Sequence, residues 1–273
     1  MDTVAKQPLE FYGHTIFTSQ DWEKILTKQH CPFLSRRCLK QRKSDPKQTI
    51  GACTVGYQGK PLIICPKRFL EGQQIFLDSA KLLTARDAQF FVVPEVTMPG
   101  GSVDYFLVAV FEDQVVDYLG LEIQSLDTTG SGSIWNARED LYSGNLQQKY
   151  QYGINWKMSA KTILIQMYHK SGSFESLGKK LVLVLQQQFW DYVSRQFQTA
   201  HFHDAKAEDS VHVHIYTCIE LDREFRLVLL DRKSTNTSGV EYMLRLGTGA
   251  GISEQEVIER IKAKLPGAIQ LDF

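Results

Sequence analysis

The stretch Val103-Asp-Tyr-Phe-Leu-Val-Ala-Val110 decides the fold. β-branched and aromatic residues dominate it, and its length and apolar density are those of a buried strand. Glu112 and Asp113 suit a turn, and Val115-Val-Asp-Tyr-Leu-Gly-Leu-Glu-Ile-Gln124 reads as the hairpin partner. Successive strand side chains alternate between faces, so Glu122 and Gln124 share one face. If the two strands pair, Asp104 lies near both.

Outward from this hairpin, the chain alternates helical and strand patterns. Upstream, Ser19 to Lys28 reads as a short helix with Ser19 as N-cap, and Asp78 to Phe90 as a helix leading into the apolar run Phe90–Val93. Downstream, Thr128 to Ser133 has the composition of a flexible loop. Asn155 to His169 and Ser176 to Phe197 read as helices. Val211–Leu221 and Glu224–Leu230 read as strands, with Asp222 and Arg223 at their turn. Near the end, Ser253 and Glu256 form a capping box, with Ile252 and Val257 as its hydrophobic staple. The predicted class is α/β in the broad sense: an α+β mixed sheet flanked by helices. Residues 1–75 are predicted to carry a small cysteine-organised module, and residues 76–273 the main core.

Composition is that of a globular protein, with 43% hydrophobic residues, 23% charged residues and a formal net charge of zero. The whole chain therefore gives no electrostatic pointer to nucleic acid. One segment does: between Lys28 and Lys47 stand Lys28, Arg36, Arg37, Lys40, Arg42, Lys43 and Lys47, against Asp45 alone. Such a cluster can neutralise phosphates, and a solvated basic loop is the plainer alternative. No apolar run approaches the ~20 residues that span a bilayer, and the N-terminus lacks an apolar leader, so a cytoplasmic protein is expected. In a reducing compartment, clustered cysteines read as metal ligands or core residues.

Cys31, Cys38, Cys53 and Cys65 are spaced C-x6-C-x14-C-x11-C, unlike zinc-finger pairs. Pro follows Cys31 and Cys65, and Gly-Ala precedes Cys53, leaving room around an ion. Four thiolates suit zinc or iron, in a closed and therefore structural site. Cys218 reads as a core residue. His212 and His214, alternating on one strand, are expected on an exposed face.

Asp104, Glu122 and Gln124 together offer a hard-oxygen pocket suited to Mg²⁺. Isolated strand acids usually lie at the solvent edge, but the apolar flanks of Asp104 make an unpartnered buried carboxylate there costly. Asp104 followed by Glu122-x-Gln124 resembles the PD-(D/E)XK nuclease superfamily, with Gln124 where a Lys is usual. Val93-Pro-Glu-Val-Thr-Met-Pro-Gly-Gly-Ser-Val-Asp104 and Leu121-Glu-Ile-Gln-Ser125 resemble the NotI-type restriction endonucleases, which also carry a four-cysteine metal site near the N-terminus. This similarity spans roughly residues 28–170.

It implies a type II restriction endonuclease that hydrolyses double-stranded DNA. Asp104 and Glu122 would be Mg²⁺ ligands, Gln124 would position the attacking water, and Glu95 would supply an extra acid. Cys31, Cys38, Cys53 and Cys65 would hold a structural metal, for which the resemblance favours iron. Arg36, Arg37, Lys40, Arg42 and Lys43 would contact DNA. Lys157 and Lys161 could bring positive charge to the scissile phosphate or form an ordinary solvated stripe. A two-fold symmetric target implies a homodimer, and a cognate DNA methyltransferase would be the genetic partner. The alternatives are a PD-(D/E)XK nuclease of repair or mobile elements, and a non-catalytic DNA-binding module organised by the cysteine site.

Overall fold

Lys180-Leu-Val-Leu-Val-Leu-Gln186, expected inside a long helix, is instead the middle strand of a seven-stranded mixed sheet. Leu183 and Leu185 pack into the core on one face, and Val182 and Val184 into the core on the other. A continuous apolar run is what a strand covered on both faces requires, and that burial overrides leucine's helical preference. Gly178, with φ +62°, ends the preceding helix in a left-handed conformation that side chains disfavour.

The computed structural model describes residues 5–42, 45–85, 87–98, 101–130 and 132–244, with Ser253, Gln255, Ile258, Glu259, Lys262 and Ala263. In chain order its main elements are β1 (Pro8–Phe11), α1 (Trp22–Lys28), β2 (Ala52–Tyr57) and β3 (Lys60–Ile63). The 3-10 helix Pro66–Gln73, α2 (Gln74–Ala80), β4 (Gln89–Met98), β5 (Gly101–Phe111) and β6 (Gln114–Gln124) follow. Next come α3 (Gly132–Tyr142), α4 (Trp156–Ser176), β7 (Lys180–Gln186) and α5 (Gln187–Gln196). β8 (Val211–Leu221), β9 (Glu224–Thr235) and α6 (Thr237–Leu244) complete them.

Across the main sheet the order is His203–Asp204, β9, β8, β7, β6, β5, β4. β6, β7 and β8 run parallel, and their outer neighbours are antiparallel. The parallel step from β6 to β7 needs a crossover, which α4 provides. A second, antiparallel sheet joins His14–Thr15, β1, β2 and β3. The two sheets meet through Gln186. Its side-chain amide donates to the Ile63 carbonyl at 2.8 Å and accepts from the Ile63 N–H at 2.9 Å, as a strand partner would. The core runs without a break across residue 75, since Phe11, Leu26, Cys31 and Ile50 share one cluster with Leu126, Ile163 and Leu183.

Both hairpin turns form where the residues suggest. Glu112 and Asp113 (φ 48° and 59°) and Asp222 and Arg223 (φ 53° and 64°) have the paired left-handed geometry of tight two-residue turns. Other boundaries move. Asp21, not Ser19, caps α1, accepting from Lys24 N–H at 3.0 Å. α2 ends at Ala80, Phe90–Val93 belongs to β4, and α4 runs on to Ser176. Of the segment read as a flexible loop, Thr128–Thr129 pairs with Gly153–Ile154, and α3 begins at Gly132. The capping residues Ile252, Glu256 and Val257 lie outside the described residues.

His212 and His214 are fully buried, not exposed, because β8 lies within the sheet and is covered on both faces. Burial pushes both imidazoles down, His214 to about 3, so they are neutral core residues. No helix among the described residues is long and apolar enough to cross a membrane.

Candidate active site and cysteine cluster

The site begins with Gly120. Any β-carbon there would lie 2.4 Å from the Phe174 ring, so glycine alone lets α4 approach β6 this closely. Glu122 stands two residues further along the same face of β6, and Lys170 stands one turn before Phe174 on α4. Two strand residues span about 6.6 Å and one helical turn about 5.4 Å. With Phe174 over Gly120, Lys170 is therefore delivered to Glu122.

The Lys170 ammonium donates to Glu122 Oε1 and to the Ser102 carbonyl, at 2.5 and 2.6 Å. Both side chains are buried, at 1% and 4% exposure. Burial pushes the Glu122 carboxyl up, to about 7, against the pull of Lys170, and the neighbouring Asp104 raises it further. The desolvation that the apolar sequence suggested for Asp104 thus falls on Glu122. Asp104 is exposed, and its Oδ2 accepts the Ile123 N–H at 2.8 Å. The last described β5–β6 pair is Tyr105 with Leu121, so Asp104 and Glu122 take the next position in that register.

Glu95 is exposed, with φ 54°, and the flanking pairs Val96 with Val103 and Pro94 with Tyr105 put it opposite Asp104 on β4. Gln124 shares the Glu122 face, but its amide donates to the adjacent Ser125 carbonyl at 2.5 Å. Lys157 and Lys161 are exposed on α4. The lysine that meets Glu122 is Lys170, which the sequence reading passed over. Its signal was a charge placed on the stripe Ala160, Ile163, Leu164, Met167, Phe174, all of them buried.

Two carboxylates, one open to solvent and one held by a cation, suit a hard divalent ion in kind. Among the described residues no three His, Cys, Asp or Glu side chains are grouped closely enough to hold an ion.

Cys31, Cys38, Cys53 and Cys65 are all buried free thiols. Each lies within electrostatic reach of at least one other, but no three of them are grouped closely enough to hold an ion. Burial raises Cys31, Cys53 and Cys65; Cys38 adds to Cys31, Cys65 adds to Cys53, and Cys38 and Cys31 add to Cys65. Lys40 pulls Cys65 the other way, and its ammonium donates to the Ile64 carbonyl at 2.8 Å. The cluster adjoins the end of β6, where Leu126 N–H donates to the Ile63 carbonyl at 3.3 Å. Of the basic residues expected to meet DNA, Arg36 is exposed. Arg37 is turned onto its own loop, donating to the Pro46 and Lys47 carbonyls. The Arg42 side chain and Lys43 lie outside the described residues.

No protein-family model matches this chain, and no curated protein matches it in sequence.

Proposed function

We propose that this chain is a Mg²⁺-dependent endonuclease of double-stranded DNA, with a PD-(D/E)XK core and a type II restriction role. The observation that carries the reading is the convergence of Asp104, Glu122 and Lys170 from β5, β6 and α4, with Lys170 buried against Glu122. Asp104 and Glu122 would hold the cation. When bound, Mg²⁺ polarises the phosphodiester and lowers the pKa of the attacking water. Lys170 pulls the Glu122 carboxyl down against its burial and fixes it in place. The Ile123 amide orients Asp104. Lys170 thus restores, from a helix, the cation that Gln124 replaces in the strand motif. A pure DNA-binding module has no use for two carboxylates facing phosphate. A restriction role further implies a cognate methyltransferase protecting host DNA.

The test is cleavage of duplex DNA into discrete fragments with Mg²⁺ and none with EDTA, abolished by Asp104→Ala. A smear, or cutting that survives EDTA, would overturn the reading. Gln124→Ala is expected to slow single-turnover cleavage by less than about tenfold, because its amide is spent on Ser125. A group positioning the water would cost about 10²–10⁴.

Zinc or iron is the proposed occupant of the four cysteines, whose buried thiols would have to draw together and ionise on binding it. Elemental analysis of protein prepared without chelator is expected to find about one such metal per chain, lost in Cys65→Ser. Metal-free wild-type protein would refute the site.

A further inference from the structure

The described pairing of β5 with β6 stops at Tyr105 and Leu121. Beyond it side chains make the connection: Asp104 accepts the Ile123 N–H, and Lys170 joins the Ser102 carbonyl to Glu122. The ammonium therefore has to arrive at a set height above the sheet and meet a carbonyl turned towards it. A glycine stands at each of these two controls.

Gly120 sets the height. Phe174, which a β-carbon there would strike, has no room to step aside, since it is fully buried with Val103, Phe106 and Leu181. The Phe106 ring stacks on it at 5.9 Å. A methyl group at 120 therefore lifts α4, and Lys170, one turn away, goes with it. Gly101 sets the carbonyl. It precedes Ser102 with φ +118°, a conformation that L side chains rarely adopt. Gly101 pairs with Met98 and Ser102 with Thr97, so the chain at this point is tied to β4. A β-carbon at 101 has room, at 3.7 Å from Lys170 Cε, so the constraint is backbone conformation and not space. We infer that Gly120 and Gly101 are positioning residues, which together hold the Lys170 ammonium on Glu122 without touching the reacting groups.

This inference rests on the nuclease reading, and its test separates the two. Gly120→Ala and Gly101→Ala are each expected to lower Mg²⁺-dependent cleavage about 10–100-fold, the scale of a misplacement of about 1 Å. In a Lys170→Met background the same changes should cost less than about threefold, because the group they aim is gone. Phe174→Leu, which removes the ring that meets residue 120, should return much of the rate to Gly120→Ala. Gly101 is exposed, so Gly101→Ala leaves the core intact even if Gly120→Ala does not fold. A readout without DNA runs beside these: the proton–nitrogen NMR signal of the Lys170 ammonium, assigned by its loss in Lys170→Met. Two buried hydrogen bonds should make it visible in the wild type, and either alanine should remove it. Wild-type rates in Gly101→Ala, or equal losses with and without Lys170, would show that the glycines serve the fold alone. A wild type that cuts nothing overturns the nuclease reading, and the ammonium signal then decides the positioning. Its absence from the wild type, or its persistence in both alanine variants, refutes the inference.

Discussion

Lys170→Met is expected to lower Mg²⁺-dependent cleavage by about 10–10³ at neutral pH, about a factor of ten for each unit by which the Glu122 carboxyl rises. The reason lies in the balance at Glu122. Burial already holds its carboxyl up at about 7, with Lys170 pulling down. Removing an opposite charge at this distance raises a carboxyl by about 1–3 units. At neutral pH Glu122 would then be protonated, and a protonated carboxyl is a poor ligand for Mg²⁺. Protonation also spares the fold, since the buried group becomes neutral instead of standing as an unpaired charge. The acid limb of the pH–rate profile should therefore move to higher pH, and raising pH or Mg²⁺ should recover part of the rate. Loss of rate with an unmoved profile would mean that Lys170 only braces the fold.

Arg68→Met is expected to destabilise the protein by about 3–5 kcal/mol, the scale for stranding a buried charge. Arg68 is 1% exposed and bonds three separate parts of the chain. Its Nε donates to Glu10 on β1 at 2.9 Å, its Nη1 to Glu71 of the 3-10 helix at 2.8 Å, and its Nη2 to the Phe225 carbonyl at 2.8 Å. The Thr54 hydroxyl donates to the same Glu10 carboxylate. Without the guanidinium, Glu10 remains 2% exposed with no countercharge. Arg68→Met with Glu10→Gln removes both charges and should recover much of the loss. Urea denaturation of the two variants checks this, and an unchanged midpoint in Arg68→Met would show that the triad contributes nothing net.

The central hairpin was legible from residues alone, because apolar density, the pair Glu112-Asp113 and the placement of Glu122 are local properties. So were the burial of Cys218 and the pairing of Val211–Leu221 with Glu224–Leu230. Local pattern failed where the deciding contacts are distant. Lys180–Gln186 looks helical by leucine content, and only its place between β6 and β8 makes it a strand. His212 and His214 look like a polar strand face until helices cover it. The candidate site divides in the same way. Asp104, Glu122 and Gln124 stood out as acids and an amide in apolar strands. Lys170, nearly fifty residues on, reaches Glu122 only because Gly120 lets Phe174 and its helix settle against the sheet. That contact joins a strand face to a helix face, and no sequence spacing records it.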